Sequence, residues 1–140
     1  MKDIRNIVNL PEGWNTTVET VDGPEGEQIH IESASNDGRT VELWLGPMPV
    51  DSTAPDQALT NYVDMVGFDD DDPEDFNPIE QWEFKGRKAF GFEVYCDDES
   101  MIRVMCLEYR KKQLCVASVI AANENAIADT VAFLEKSIRI

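Results

Sequence analysis

Between residues 28 and 45 the chain alternates with a period of two. Ile29 and Ile31 fall on one side of an extended segment while His30 and Glu32 fall on the other, and Val41, Leu43 and Leu45 repeat the pattern against Glu42 and Trp44. Such alternation predicts strands with one buried face. Three strands are expected, at Thr16 to Val21, Gln28 to Ser33 and Arg39 to Leu45, separated by the turn residues Asp22-Gly23-Pro24 and Asn36-Asp37-Gly38.

The period then lengthens. Pro47 and Pro49 end the third strand, and Ser52-Thr53-Ala54-Pro55 reads as a helix start, with a hydroxyl cap just ahead of an early proline. Leu59, Tyr62, Val63 and Val66 follow at three- and four-residue spacing and predict one buried stripe, with Gly67 placed to close the helix. From Ile79 onward a meander is expected: Ile79 to Phe84, Lys88 to Cys96, Met101 to Tyr109 and Gln113 to Ala121, with turns at Lys85-Gly86-Arg87, Asp97-Asp98-Glu99-Ser100 and Arg110-Lys111-Lys112. Phe90, Phe92 and Val94 share a face of the second of these strands. The last two strands are apolar on both faces, which predicts cover on both sides. A closing helix starts at an Asn123 cap, with Glu124 at its positive end and Ile127, Val131, Leu134 and Ile138 as its buried stripe. The pattern predicts an α+β fold, an antiparallel sheet of six to seven strands flanked by helices in the order βββ-α-ββββ-α.

Composition narrows what this fold could do. The 140 residues suit a single domain spanning the chain, and 42% apolar content suffices for a core without metal or disulfide support. With 28 acidic against 12 basic residues the formal charge is −16, which disfavours phosphate backbones and anionic lipid as partners. No apolar stretch reaches signal-peptide or membrane-span length, so a cytoplasmic protein is expected. Cys96, Cys106 and Cys115 form no CxxC pair and are odd in number, which argues for free thiols. Counting back through the last turn places Leu107 opposite Cys115 and Cys106 on the other face, so those two cannot bridge without a register change.

Charge is concentrated at named places. Asp69-Asp70-Asp71-Asp72-Pro73-Glu74-Asp75 lies between Phe68 and Phe76 just after the middle helix, where a solvated exit loop is the plain reading. Calcium spacing is not met, because Glu74 and Glu80 stand where an EF-hand loop beginning at Asp69 needs glycine and glutamate in its sixth and twelfth places. In a meander alternate turns share one end of the sheet, which gathers Lys85, Arg87 and Lys88 with Arg110, Lys111 and Lys112. Asp97, Asp98 and Glu99 belong to the opposite end.

Catalytic signatures are missing. His30 is the only histidine and has no nucleophile motif beside it, while Gly86-Arg87-Lys88-Ala89-Phe90-Gly91 matches neither a dinucleotide turn nor a P-loop. No catalytic residue, metal site or cofactor is assigned.

The element order, opened by Leu10-Pro11-Glu12-Gly13-Trp14, resembles the PsbP-like or Mog-type superfamily, above all its small bacterial members. Val41-Glu42-Leu43-Trp44-Leu45 before the middle helix and the closing Phe133-Leu134-Glu135-Lys136-Ser137 are similar to that pattern. The resemblance implies an antiparallel sheet flanked by helices and, for some bacterial members, an adaptor or chaperone role. It implies no catalytic residues.

The expected function is a non-enzymatic domain that binds another protein, with a homodimer allowed. Its expected surface is the acidic segment, Phe68, Asp69, Asp70, Asp71, Asp72, Glu74, Asp75 and Phe76, or the basic end of the sheet. The alternative is a small-molecule or cation-binding domain with a pocket between sheet and helices.

Overall fold

The computed structural model of the chain describes residues 13–23, 26–36, 38–65, 79–96 and 100–138. The elements are β1 (Trp14–Gly23), β2 (Gly26–Ser35), β3 (Thr40–Pro47), α1 (Ala54–Met65), β4 (Glu80–Phe84), β5 (Arg87–Tyr95), β6 (Met101–Arg110), β7 (Gln113–Ala121) and α2 (Glu124–Ser137). This is the expected βββ-α-ββββ-α order, and the fold is α+β. All seven strands form one antiparallel sheet in the order β1-β2-β3-β7-β6-β5-β4. Two meanders meet where β3 pairs with β7, with Leu43 opposite Ala117 and Leu45 opposite Cys115.

The sheet has two unlike faces. On one, Ile31, Val41, Leu43, Leu45, Met101, Met105 and Leu107 are buried beneath α2, which contributes Ile127, Val131, Leu134 and Ile138 as its spacing predicts. Asn123 caps that helix, its Oδ1 accepting from the Ala126 N–H at 2.8 Å. At the far end of α2 the Lys85 backbone N–H donates to Glu135 Oε2 at 3.1 Å and the Lys85 ammonium donates to the Ile138 carbonyl. Lys85 thereby ties the β4–β5 turn to the helix terminus.

On the opposite face α1 packs on β5 and β6. Thr53 and Asp56 cap it reciprocally: the Asp56 N–H donates to Thr53 Oγ1 at 3.4 Å, and the Thr53 N–H donates to Asp56 Oδ2 at 3.1 Å. Its buried side differs from the expected stripe. Ala54 and Ala58 are the residues buried, Tyr62 meets Phe92 edge to face at 5.3 Å, and Leu59 is exposed. Small alanines let the helix backbone approach a sheet whose own side chains, Phe90 and Phe92, are large. Leu59 is thus rotated outward, while Val66 and Gly67 lie outside the described residues. β6 is buried on both faces as expected, whereas β7 is fully buried toward α2 but on the α1 side buries only Leu114, with Val116, Ser118 and Ile120 half-buried. Among the described residues no helix packs extensively over the α1 side of β1, β2 and β3.

Hairpin geometry places the turn charges. Lys85 (φ 53°) and Gly86 (φ 76°) form a turn of the mirror-image type, and Lys112 (φ 62°) takes a left-handed conformation beside a register irregularity at Glu108/Arg110. The turns carrying Lys85, Arg87 and Lys88 and Lys111 and Lys112 fall at one end of the sheet. Arg110 ends β6 there, although its side chain lies outside the described part. The acidic segment from Phe68 to Phe76 and the Asp97-Asp98-Glu99 turn also lie outside the described residues. No helix among those described is long and apolar enough to cross a membrane.

Candidate functional site

Because α1 covers only part of its face, its flank leaves a cleft of about 350 Å³ against the sheet. The floor is Trp44, Leu114 and Val116 from β3 and β7, and Pro47 and Pro49 form the wall that leads into α1. Gln28, Gln57 and Asn61 contribute amide groups, and none of the described lining residues is charged. Gln57 Nε2 donates to Ser52 Oγ at 2.8 Å, and Asn61 Nδ2 donates to the Gln57 carbonyl at 2.8 Å, so the amides are held in place. Asn61 also reaches Cys106 Sγ at 3.7 Å. The arrangement suits an uncharged, largely apolar molecule that accepts or donates one or two hydrogen bonds.

Trp44 belongs to a second cluster, on the uncovered part of the same face. The register sets Glu19 opposite His30 and His30 opposite Trp44, with Glu32 opposite Glu42 one step along. The indole stacks on the imidazole, with ring centres 4.0 Å apart and 16° between planes. His30 Nδ1 lies 2.8 Å from Glu19 Oε1, and the Trp44 Nε1–H donates to Glu42 Oε1 at 3.1 Å. His30 Nε2 is 3.4 Å from Glu42 Oε2, an ion-pair distance without hydrogen-bond geometry, and that shielded nitrogen has no hydrogen-bond partner among the described residues. Burial acts to lower the imidazole pKa, but the contact with the Glu19 carboxylate at Nδ1 and the negative charge of Glu42 and Glu19 outweigh it and raise the value above 6.5.

Sequence reasoning placed His30 and Glu32, and Glu42 and Trp44, on outward faces but did not join them. The turns around Gly23 and Asn36 carry the signal that would have done so, since hairpin register decides which outward residues become neighbours. Cys106 and Cys115 are free, fully buried and on opposite faces, as the Leu107–Cys115 pairing requires. Burial pushes each thiol up to about 12, so neither is a nucleophile near neutral pH. Arg103 pairs with Glu93 at 3.0 Å and lies over the Trp82 ring at 4.6 Å, a packing role on the α2 side.

No family model, curated protein or solved structure matches the chain.

Proposed function

We propose that this chain is a non-catalytic binding domain that takes an uncharged small molecule in the cleft between α1 and the sheet. The observation that carries the reading is the cleft itself, with its apolar floor of Trp44, Leu114 and Val116 and its fixed amides from Gln57 and Asn61. At about 350 Å³ it falls toward the small end of ligand pockets, so the ligand has few heavy atoms. The buried thiols and the lack of an activated nucleophile among the described lining residues support binding over catalysis.

A neutral fluorescent probe, N-phenyl-1-naphthylamine, tests this. Saturable one-to-one binding is expected in the wild-type chain and a loss of at least tenfold in Val116→Trp, whose indole fills the cleft. Unsaturable binding, or equal affinity in a folded Val116→Trp variant, would dismiss the proposal.

A protein-binding role is the second reading, supported by the exposed Lys88, Lys111 and Lys112 at one end of the sheet. Replacing the three with Gln and comparing pull-downs addresses it, since unchanged partners would remove that end from consideration. Kinship with the PsbP-like or Mog-type superfamily is a proposal supported by the element order alone.

A further inference from the structure

We propose that His30 Nε2 and the carboxylates of Glu42 and Glu32 form a binding site for a divalent transition metal of the zinc class. This site stands whether or not the neighbouring cleft has an occupant.

The first reason is the state of the imidazole. Glu19 Oε1 lies 2.8 Å from Nδ1, so a neutral ring with its proton on Nδ1 donates there and turns the Nε2 lone pair toward Glu42. A carboxylate behind the distal nitrogen is the usual way a metal-binding histidine is oriented and made more basic. Trp44 performs the same service twice, fixing the ring plane by stacking and holding Glu42 by its Oε1, which leaves Oε2 facing Nε2.

Distance supplies the second. Nε2 and Glu42 Oε2 are 3.4 Å apart, too long and too poorly directed for a hydrogen bond. Two ligands at about 2.0–2.2 Å from a tetrahedral zinc ion are separated by about 3.3–3.5 Å, so this pair already spans one edge of such a site. One ligand atom each from His30, Glu32 and Glu42 lies within 4.8 Å of the others. Glu32 is exposed, and a closure of at most about 1.4 Å, from the 4.8 Å bound to 3.4 Å, is within the reach of a side-chain rotation.

Charge is the third. Glu32 and Glu42 are directly opposed across β2 and β3, a like-charge pair that costs sheet stability, and Glu19 adds a third carboxylate nearby. A divalent ion neutralises that excess. Imidazole nitrogen with carboxylate oxygen favours zinc and its neighbours over calcium or magnesium, which prefer all-oxygen sets. Three protein ligands leave a fourth position for water.

The whole chain, freed of metal, is titrated with Zn²⁺ by calorimetry and thermal melting, beside Ca²⁺ and Mg²⁺. One zinc per chain is expected, with a higher melting temperature, and Ca²⁺ and Mg²⁺ should bind at least tenfold more weakly. His30→Gln should lower zinc affinity at least tenfold, and Glu42→Gln should lower it by a similar factor. Cobalt loading provides a readout that needs no variant. Tetrahedral ligand-field bands without thiolate charge transfer support the site, whereas thiolate bands place the metal at a cysteine and overturn it. Zinc binding that survives His30→Gln, or matches Ca²⁺ in affinity, is adventitious association with an acidic surface and equally overturns it.

Discussion

Gly91→Ala should be the most damaging single-methyl addition in this sheet. Gly91 lies in β5 opposite Met105, with ordinary strand torsions, so the substitution carries no penalty from backbone conformation. Space is the difficulty. A Cβ built there would stand 1.7 Å from the Val104 carbonyl oxygen, 2.8 Å from its carbon and 3.0 Å from Met105 Cα. Ordinary carbon contacts begin near 3.4 Å, so β5 and β6 would have to part by about 1.5 Å, nearly a third of the usual strand spacing of ~4.8 Å. Their hydrogen bonds fail at that point. Leaving one donor and one acceptor buried and unpaired costs about 1–3 kcal/mol each, against a gain of ~0.5–1 kcal/mol from removing a glycine from a strand. The net loss is ~1–5.5 kcal/mol, a large share of the ~5–15 kcal/mol that holds a domain together. With a urea slope of about 2 kcal/mol/M, the unfolding midpoint should fall by ~0.5–2.7 M. Gly46→Ala is the matched control, because the nearest atom to its Cβ is Gln28 Cγ at 2.8 Å, the movable part of a side chain. That variant should shift the midpoint by less than about 0.5 M. If Gly91→Ala unfolds within ~0.3 M of wild type, or no earlier than Gly46→Ala, the close approach of β5 and β6 is wrong.

Lys112→Gly should stabilise the domain by up to ~1 kcal/mol in the same assay, since Lys112 sits at φ 62° in a region that suits glycine, and a loss of stability would show that its side chain matters more than its backbone. Native protein should leave Cys106 and Cys115 unreacted with a thiol reagent at pH 8 over the time in which a denatured sample modifies all three cysteines, and prompt modification of either would contradict their burial. In metal-free protein the His30 pKa lies above 6.5, so its contribution to stability is fully present below pH 6.5 and disappears as pH rises through the folded-state value. An NMR titration of the imidazole should show this elevation and its reduction in Glu19→Gln, and a midpoint at or below 6.5 in wild type would refute the assignment. Asn123→Ala should cost ~1 kcal/mol by removing the α2 cap, and an unchanged unfolding midpoint would count against it.

Much of this architecture is legible in the order of residues, for local reasons. Alternation at Ile29/Ile31 and Val41/Leu43/Leu45 tells which side of each strand is buried, and the stripe from Ile127 to Ile138 tells how α2 lies, because each pattern is read within one element. The stripe on α1 misleads because its rotation is decided by the partner surface. Ala54 and Ala58 pack with Phe90 and Tyr62 meets Phe92, while Leu59 stays exposed. Gly91 is equally silent in sequence, since the crowding comes from β6.

The candidate sites show the same division. Sequence by itself determined the βββ-α-ββββ-α order, the inward and outward faces of the strands and of α2, and the free thiols, all of which follow from periodicity, turn chemistry and cysteine spacing along the chain. Only the tertiary structure decided that α1 covers β5 and β6 while leaving a cleft over Trp44 and Val116, and that Glu19, His30, Glu42 and Trp44 become neighbours across three strands. Periodicity states which way a side chain points but carries no information about what lies beside it. That is settled by register and by packing between elements distant in sequence.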